Sequence, residues 1–186
     1  MWKTAIIVFD ARRYTELAEG GLFIIDKDRT ACFTGHRDIP ASEMVFIKKR
    51  LKKELEKLIE KGVIFFGSGG AVGFDTLAAL TVLELKKKHP RIKLIMVLPC
   101  KEQDRKWNET DKKIYADILG KADKIVYTSE HYHKACMFVR NRRLVDFSSY
   151  CIAYLKEDTG GTAYTVDYAL KNRLEVVNIA ERGSKK

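Results

Sequence analysis

Apolar positions along this chain follow two alternating rhythms. From Arg29 onward, short stretches with consecutive apolar residues are separated by longer stretches in which apolar residues recur every three or four positions. Residues 30–34, 63–66, 92–98, 124–128, 150–155 and 175–179 read as strands. Between the first two, Met44, Ile47, Leu51, Leu55 and Leu58 recur at helical spacing after Pro40-Ala41-Ser42, and Gly62 ends the helix. A second helix carries Leu77, Ala78, Leu80, Val82, Leu83 and Leu85, and closes on Lys86, Lys87 and Lys88 before Pro90. Further helices carry Ile114, Tyr115, Ile118 and Leu119, then Met137, Arg140, Leu144 and Val145, then Ala163, Val166, Ala169 and Leu170. Strands apolar on both faces and separated by helices predict a parallel sheet covered on both sides. The fold class is α/β: a Rossmann-like three-layer α/β/α unit with a mainly parallel sheet.

Residues 1–29 break the rhythm. Residues 4–9 and 22–25 read as short strands about Glu19-Gly20-Gly21, and predict an N-terminal β extension: an edge hairpin or an arm packing on another subunit. Residues 30–180 form the main domain, and 181–186 read as a frayed polar tail.

In an open parallel sheet, ligands sit beyond the carboxyl ends of the strands. Four polar or glycine-rich stretches fall there. They are Thr34-Gly35-His36-Arg37, the turn Ser68-Gly69-Gly70 with Gly73 and Asp75, the pair Arg140-Asn141, and Gly160-Gly161-Thr162. Glycine turns that open helices present free backbone N–H groups to an anion. His36 and Arg37 add positive charge, and Asp75 is either a helix-start carboxylate or an acceptor for ribose hydroxyls. The glycine spacing is neither the dinucleotide fingerprint nor a P-loop. Trp107 is either a stacking surface for a base or a plug for its loop. His131 and His133 lack a third ligand partner, and the four cysteines form no C-x-x-C pair, so neither a metal nor a cofactor is expected.

The net charge of +10 over 186 residues favours a phosphorylated or polyanionic partner, although much of the excess lies on one helix rich in both signs. No stretch is long and apolar enough to span a bilayer, and the expected location is cytoplasmic.

TGHR (34–37), SGGAVGFDTLAA (68–79), KW (106–107), MFVRNRRLVDFS (137–148) and GGTAYTVDYA (160–169) resemble the YpsA-like branch of the SLOG superfamily. That superfamily also holds the LOG-type nucleotide phosphoribohydrolases and the DNA-processing protein A family. The resemblance implies a Rossmann-like domain binding a nucleotide or nucleotide-derived ligand, as sensor or as nucleotide-processing enzyme. It leaves open a single-stranded nucleic-acid module and an N-glycosidic hydrolase of LOG type. This chain has Asp38 where relatives have Pro, Ser148-Ser149 where they have Ser-Asp, and Thr165 where LOG-type enzymes place a glutamate. A domain of this kind is expected to work as a homo-oligomer.

Overall fold

A computed structural model describes residues 6–10, 13–18 and 21–180, with side chains from residue 25 onward. The frayed-tail expectation for 181–186, and the parts of the first strand and its turn at residues 4, 5, 19 and 20, lie outside the described residues.

Six strands, β4 (Thr30–Gly35), β5 (Phe65–Ser68), β6 (Lys93–Leu98), β7 (Lys124–Tyr127), β8 (Tyr150–Tyr154) and β9 (Glu175–Asn178), form one sheet in the order β7-β6-β5-β4-β8-β9. Every pairing in it is parallel. Five helices connect them: α1 (Ala41–Glu60), α2 (Phe74–Lys86), α3 (Glu109–Lys121), α4 (Cys136–Asp146) and α5 (Gly160–Lys171).

Alternate residues of the strands inside β7 feed two cores, while β7 itself is an edge strand with Ile125 and Tyr127 exposed. Ala31, Phe33, Phe66, Leu94, Met96, Leu98, Ile152 and Tyr154 face Ile47, Leu51, Leu55, Ala78, Val82, Leu85 and Ile118 of α1, α2 and α3. Cys32, Phe65, Ile95, Val97 and Cys151 face Leu144, Val145 and Ala169 of α4 and α5. Burial on both faces is what excludes polar residues from these strands. Of the apolar helix positions, Met44, Leu80 and Leu170 are 37%, 39% and 58% exposed; Met44 lies in the first turn of α1, one turn before the helix meets the sheet at Ile47. All four cysteines are buried free thiols.

Ahead of this unit, β1 (Ile6–Asp10), β2 (Arg13–Ala18) and β3 (Gly21–Asp26) pair antiparallel in a sheet of their own. The extension therefore has one strand more than the hydrophobic pattern gave, because Arg13–Ala18 reads RYTELA and lacks an apolar run.

The strand order fixes where a ligand site belongs. From β4 the chain moves outward through β5 and β6 to β7, and α4 then carries it back across the sheet to β8, on the other side of β4. The order reverses between β4 and β8, so a crevice opens beyond their carboxyl ends.

Candidate functional site

The β4–α1 loop lies directly on the start of α2. A Cβ at Gly35 would overlap the Phe74 side chain, and one at Gly73 would overlap the Arg37 backbone. Gly73 also has φ of 87°, which disfavours any side chain. The Phe74 N–H donates to His36 O at 3.2 Å, completing the attachment.

The Ser68–Asp75 turn is occupied by the protein's own groups. Gly70 N–H donates to Ser68 Oγ at 3.2 Å, Ser68 Oγ donates to Asp75 O at 3.1 Å, and Ala71 N–H donates to Asp75 Oδ2 at 3.3 Å. The Arg140 guanidinium rests on Gly69, where a Cβ would overlap it. Gln103 Nε2 donates to Gly69 O at 3.3 Å and Gly70 O at 2.8 Å. Gly69 thus makes room for an arginine, and the Gly70 and Ala71 amides of the turn expected to face a phosphate bond the chain's own Ser68 and Asp75.

Arg140 and Asp75 meet at 3.4 Å (Nη1 to Oδ2) with side chains only 7% and 8% exposed. Burial pushes the Asp75 carboxyl up, against the pull of Arg140, the Ala71 amide and Arg37. Burial likewise lowers Arg140, partly offset by Asp75. Arg140 Nε and Gln103 Oε1 are buried without a hydrogen-bond partner.

Beside this pair lies a crevice of about 300 Å³, walled by Thr34, Gly35, His36, Arg37, Asp75, Arg140, Asn141, Gly161 and Thr162, with Phe33, Ala71 and Met137 completing it. Residues from β4, α2, α4 and α5 thus converge at the switch point. Ser68, Gly69, Gly70, Gly73 and Gly160 do not line it. The Asn141 amide is oriented: Nδ2 donates to Thr165 Oγ1 at 2.9 Å, and that hydroxyl donates to Gly161 O at 2.7 Å. Asn141 Oδ1 therefore remains as an acceptor. On the α5 side, Thr159 makes no side-chain cap and Gly160 takes φ of 85°, leaving the first-turn amides of Gly161 and Thr162 uncapped at the crevice wall.

A second feature adjoins the crevice and is invisible in the sequence. Phe138 meets Tyr164 edge to face (centroids 5.1 Å, 88°), and Tyr164 stacks on Tyr168 (6.3 Å, 9°). Arg142 Nε donates to Tyr164 Oη at 2.6 Å, and its guanidinium sits 5.5 Å from the Tyr168 centroid. Phe138 is 47% exposed. This aromatic and cationic ledge needs α4 and α5 side by side, which no local spacing reveals.

Trp107 packs edge-on to Tyr115 (5.1 Å, 67°) against the core, as a loop plug does. Arg143 covers the Phe147 ring at 4.6 Å. His131 pairs with Glu102 and His133 with Ser129 in an exposed loop. Among the described residues no group of three or more His, Cys, Asp or Glu is placed to hold a metal ion, and no helix is long and apolar enough to cross a membrane.

Fold and crevice define the class: a Rossmann-like α/β protein with a cleft at its topological switch point. The chain belongs to the YspA SLOG family, whose model it matches over residues 34–179. It is 35% identical to the SPbeta prophage-derived protein YoqJ of Bacillus subtilis over 144 residues, spanning 70% of this chain and 84% of that protein. It is 32% identical to a UPF0398 protein of Halalkalibacterium halodurans, over 70% of each chain. Among solved structures its fold is similar to DNA processing protein A from Helicobacter pylori, described for its single-stranded DNA binding mode. The TM-score is 0.61 at 19% identity, over 87% of this chain and 70% of that one. DNA processing protein A from Streptococcus pneumoniae gives 0.58 at 18% identity, over 81% and 50%.

Proposed function

We propose that the protein binds a nucleotide or nucleotide-derived ligand in the switch-point crevice, with its phosphate toward Arg37, His36 and the α5 amides and its ribose toward Asp75 and Asn141. The observation that carries this reading is the uncapped start of α5 facing the β4 loop across a single polar hollow. Sensing is favoured over catalysis. Among the described residues Asp75 is the only carboxylate in the crevice wall, and it is tied to Arg140. Thr165, at the glutamate position of LOG-type enzymes, is buried in a hydrogen bond to Gly161 O, and Asp167 pairs with Lys171 in solvent. A carboxylate free to position water for N-glycosidic hydrolysis is what those arrangements lack. The setting proposed is the cytoplasm, which suits four unpaired thiols, and the working form a homo-oligomer. Calorimetry with a nucleotide panel, combined with product analysis, tests the reading: binding without turnover is expected, and a folded protein that binds none of the panel refutes it.

A second reading is favoured by the ledge of Phe138, Tyr164, Tyr168 and Arg142. Aromatic rings flanked by arginine suit successive bases of a single strand, and the net charge of +10 suits its backbone. The fold neighbour from Helicobacter pylori is described as binding single-stranded DNA. Gel shifts at low and high salt separate the readings, because only the strand reading requires affinity that falls steeply with salt.

A further inference from the structure

The contacts around His36 fix its chemistry as well as its position. The Lys156 backbone N–H donates to His36 Nε2 at 2.9 Å, so that nitrogen carries the lone pair and the proton of the neutral ring resides on Nδ1. The rest of the residue is equally restrained. Its N–H donates to Tyr154 O at 3.3 Å, its carbonyl accepts from Phe74 N–H at 3.2 Å, and its ring stands edge-on to Tyr154 with centroids 6.0 Å apart. Lys156 is anchored in turn. Its Nζ donates to Glu43 Oε1 at 2.7 Å, while Glu43 Oε2 accepts from the hydroxyl of the fully buried Tyr154 at 3.0 Å. His36 is part of the crevice wall, and its Nδ1 has no protein partner among the described residues.

We propose that His36 is a specificity residue that works in one direction only: a fixed Nδ1–H donor to an acceptor oxygen of the ligand, such as a phosphate oxygen, and not a base. This rests on the crevice being the ligand site. Removing a proton from a ligand would require a free lone pair, and the one the ring has is engaged by Lys156. The same bond ties the β4 loop to the segment that leads into α5, so the donor and the α5 amides are held at one spacing.

Two substitutions separate donor from tether. The amide of His36→Gln reaches toward the Nε2 position, where its oxygen accepts from Lys156, but offers nothing at Nδ1. The amide of His36→Asn places an N–H at the Nδ1 position and leaves Lys156 without its acceptor. The measurements are calorimetry with the nucleoside monophosphates and inorganic phosphate, hydrogen exchange at the Lys156 amide, and nitrogen NMR of the His36 ring. A protonated Nδ1 is expected in the wild-type spectrum. His36→Gln should weaken monophosphate binding about tenfold or more, as loss of a hydrogen bond to a charged group does, while keeping Lys156 protected. His36→Asn should recover most of that affinity while Lys156 exchanges faster. Equal affinity in the wild type and His36→Gln, or a proton found on Nε2, overturns the donor assignment while leaving the crevice a ligand site. No binding by the wild type to any of these ligands overturns both.

Discussion

Gly69→Ala isolates the buried pair at the base of the crevice. Gly69 is free of positive φ, so alanine brings no backbone strain, but its Cβ would occupy the space of the Arg140 guanidinium and lie 2.8 Å from Asp75 Oδ2. Arg140 must leave. Asp75 then keeps the Ala71 amide but loses its close counter-charge in a site where both side chains are under a tenth exposed. Removing one partner of a buried pair costs about 3–5 kcal/mol. Here the carboxyl, already pushed up by burial, relieves part of that by taking up a proton, so about 2–3 kcal/mol is expected. For a chain of this length that lowers Tm by roughly 5–10 °C. Urea unfolding of Gly69→Ala, Arg140→Ala and the double variant forms a cycle. With Arg140 truncated, the added methyl meets far less and should cost below about 1 kcal/mol, giving a coupling of at least about 1 kcal/mol. Additive costs would refute the packing of Arg140 on Gly69.

Gly73→Ala should destabilise by about 2 kcal/mol or more, through positive φ together with overlap on the Arg37 backbone. Gly120→Ala, inside α3 with open space around it, should stabilise by up to about 1 kcal/mol; thermal melts compare the two. Glu84 is held at about 2 by hydrogen bonds from Lys52 and Lys48. Because its folded value is depressed, its contribution is present above the ordinary 4.5 and is lost as pH falls toward 2. Glu84 is 42% exposed, which holds that contribution below about 1 kcal/mol. Urea midpoints of the wild type and Glu84→Gln should therefore differ near neutrality and converge in acid. Light scattering of the full chain against one lacking residues 1–28 tests the alternative in which the extension is an arm packing on another subunit: a smaller assembly is expected for the shorter chain, and an unchanged size refutes that role.

The sheet and its helices were legible because their determinants are local. Ile47, Leu51, Leu55 and Leu58 mark the buried side of α1 by spacing alone, and Gly62, at φ of 93°, marks its end. Chain order together with strand-end polarity was enough to bring Thr34–Arg37, Asn141 and Gly161–Thr162 to one edge. What fills a hollow is a different kind of information. Gly69 as a cradle for phosphate and Gly69 as a cradle for Arg140 look identical in sequence, because the side chain that settles the matter lies 71 positions away. Gln103 gave no signal within the polar stretch 101–110, although it holds two carbonyls of that turn. Phe138 and Tyr164 become neighbours only through helix packing.

The route taken by α4 has a consequence for synthesis on the ribosome. Asp75 emerges early, with the strands that will enclose it, yet its counter-ion sits on the helix that returns across the sheet much later. Until that helix docks, the carboxylate must stay hydrated or protonated, and the neighbouring core cannot close without leaving a lone charge inside it. Charge neutralisation and closure of the sheet are therefore one event, and the arrival of α4 and β8 sets its timing.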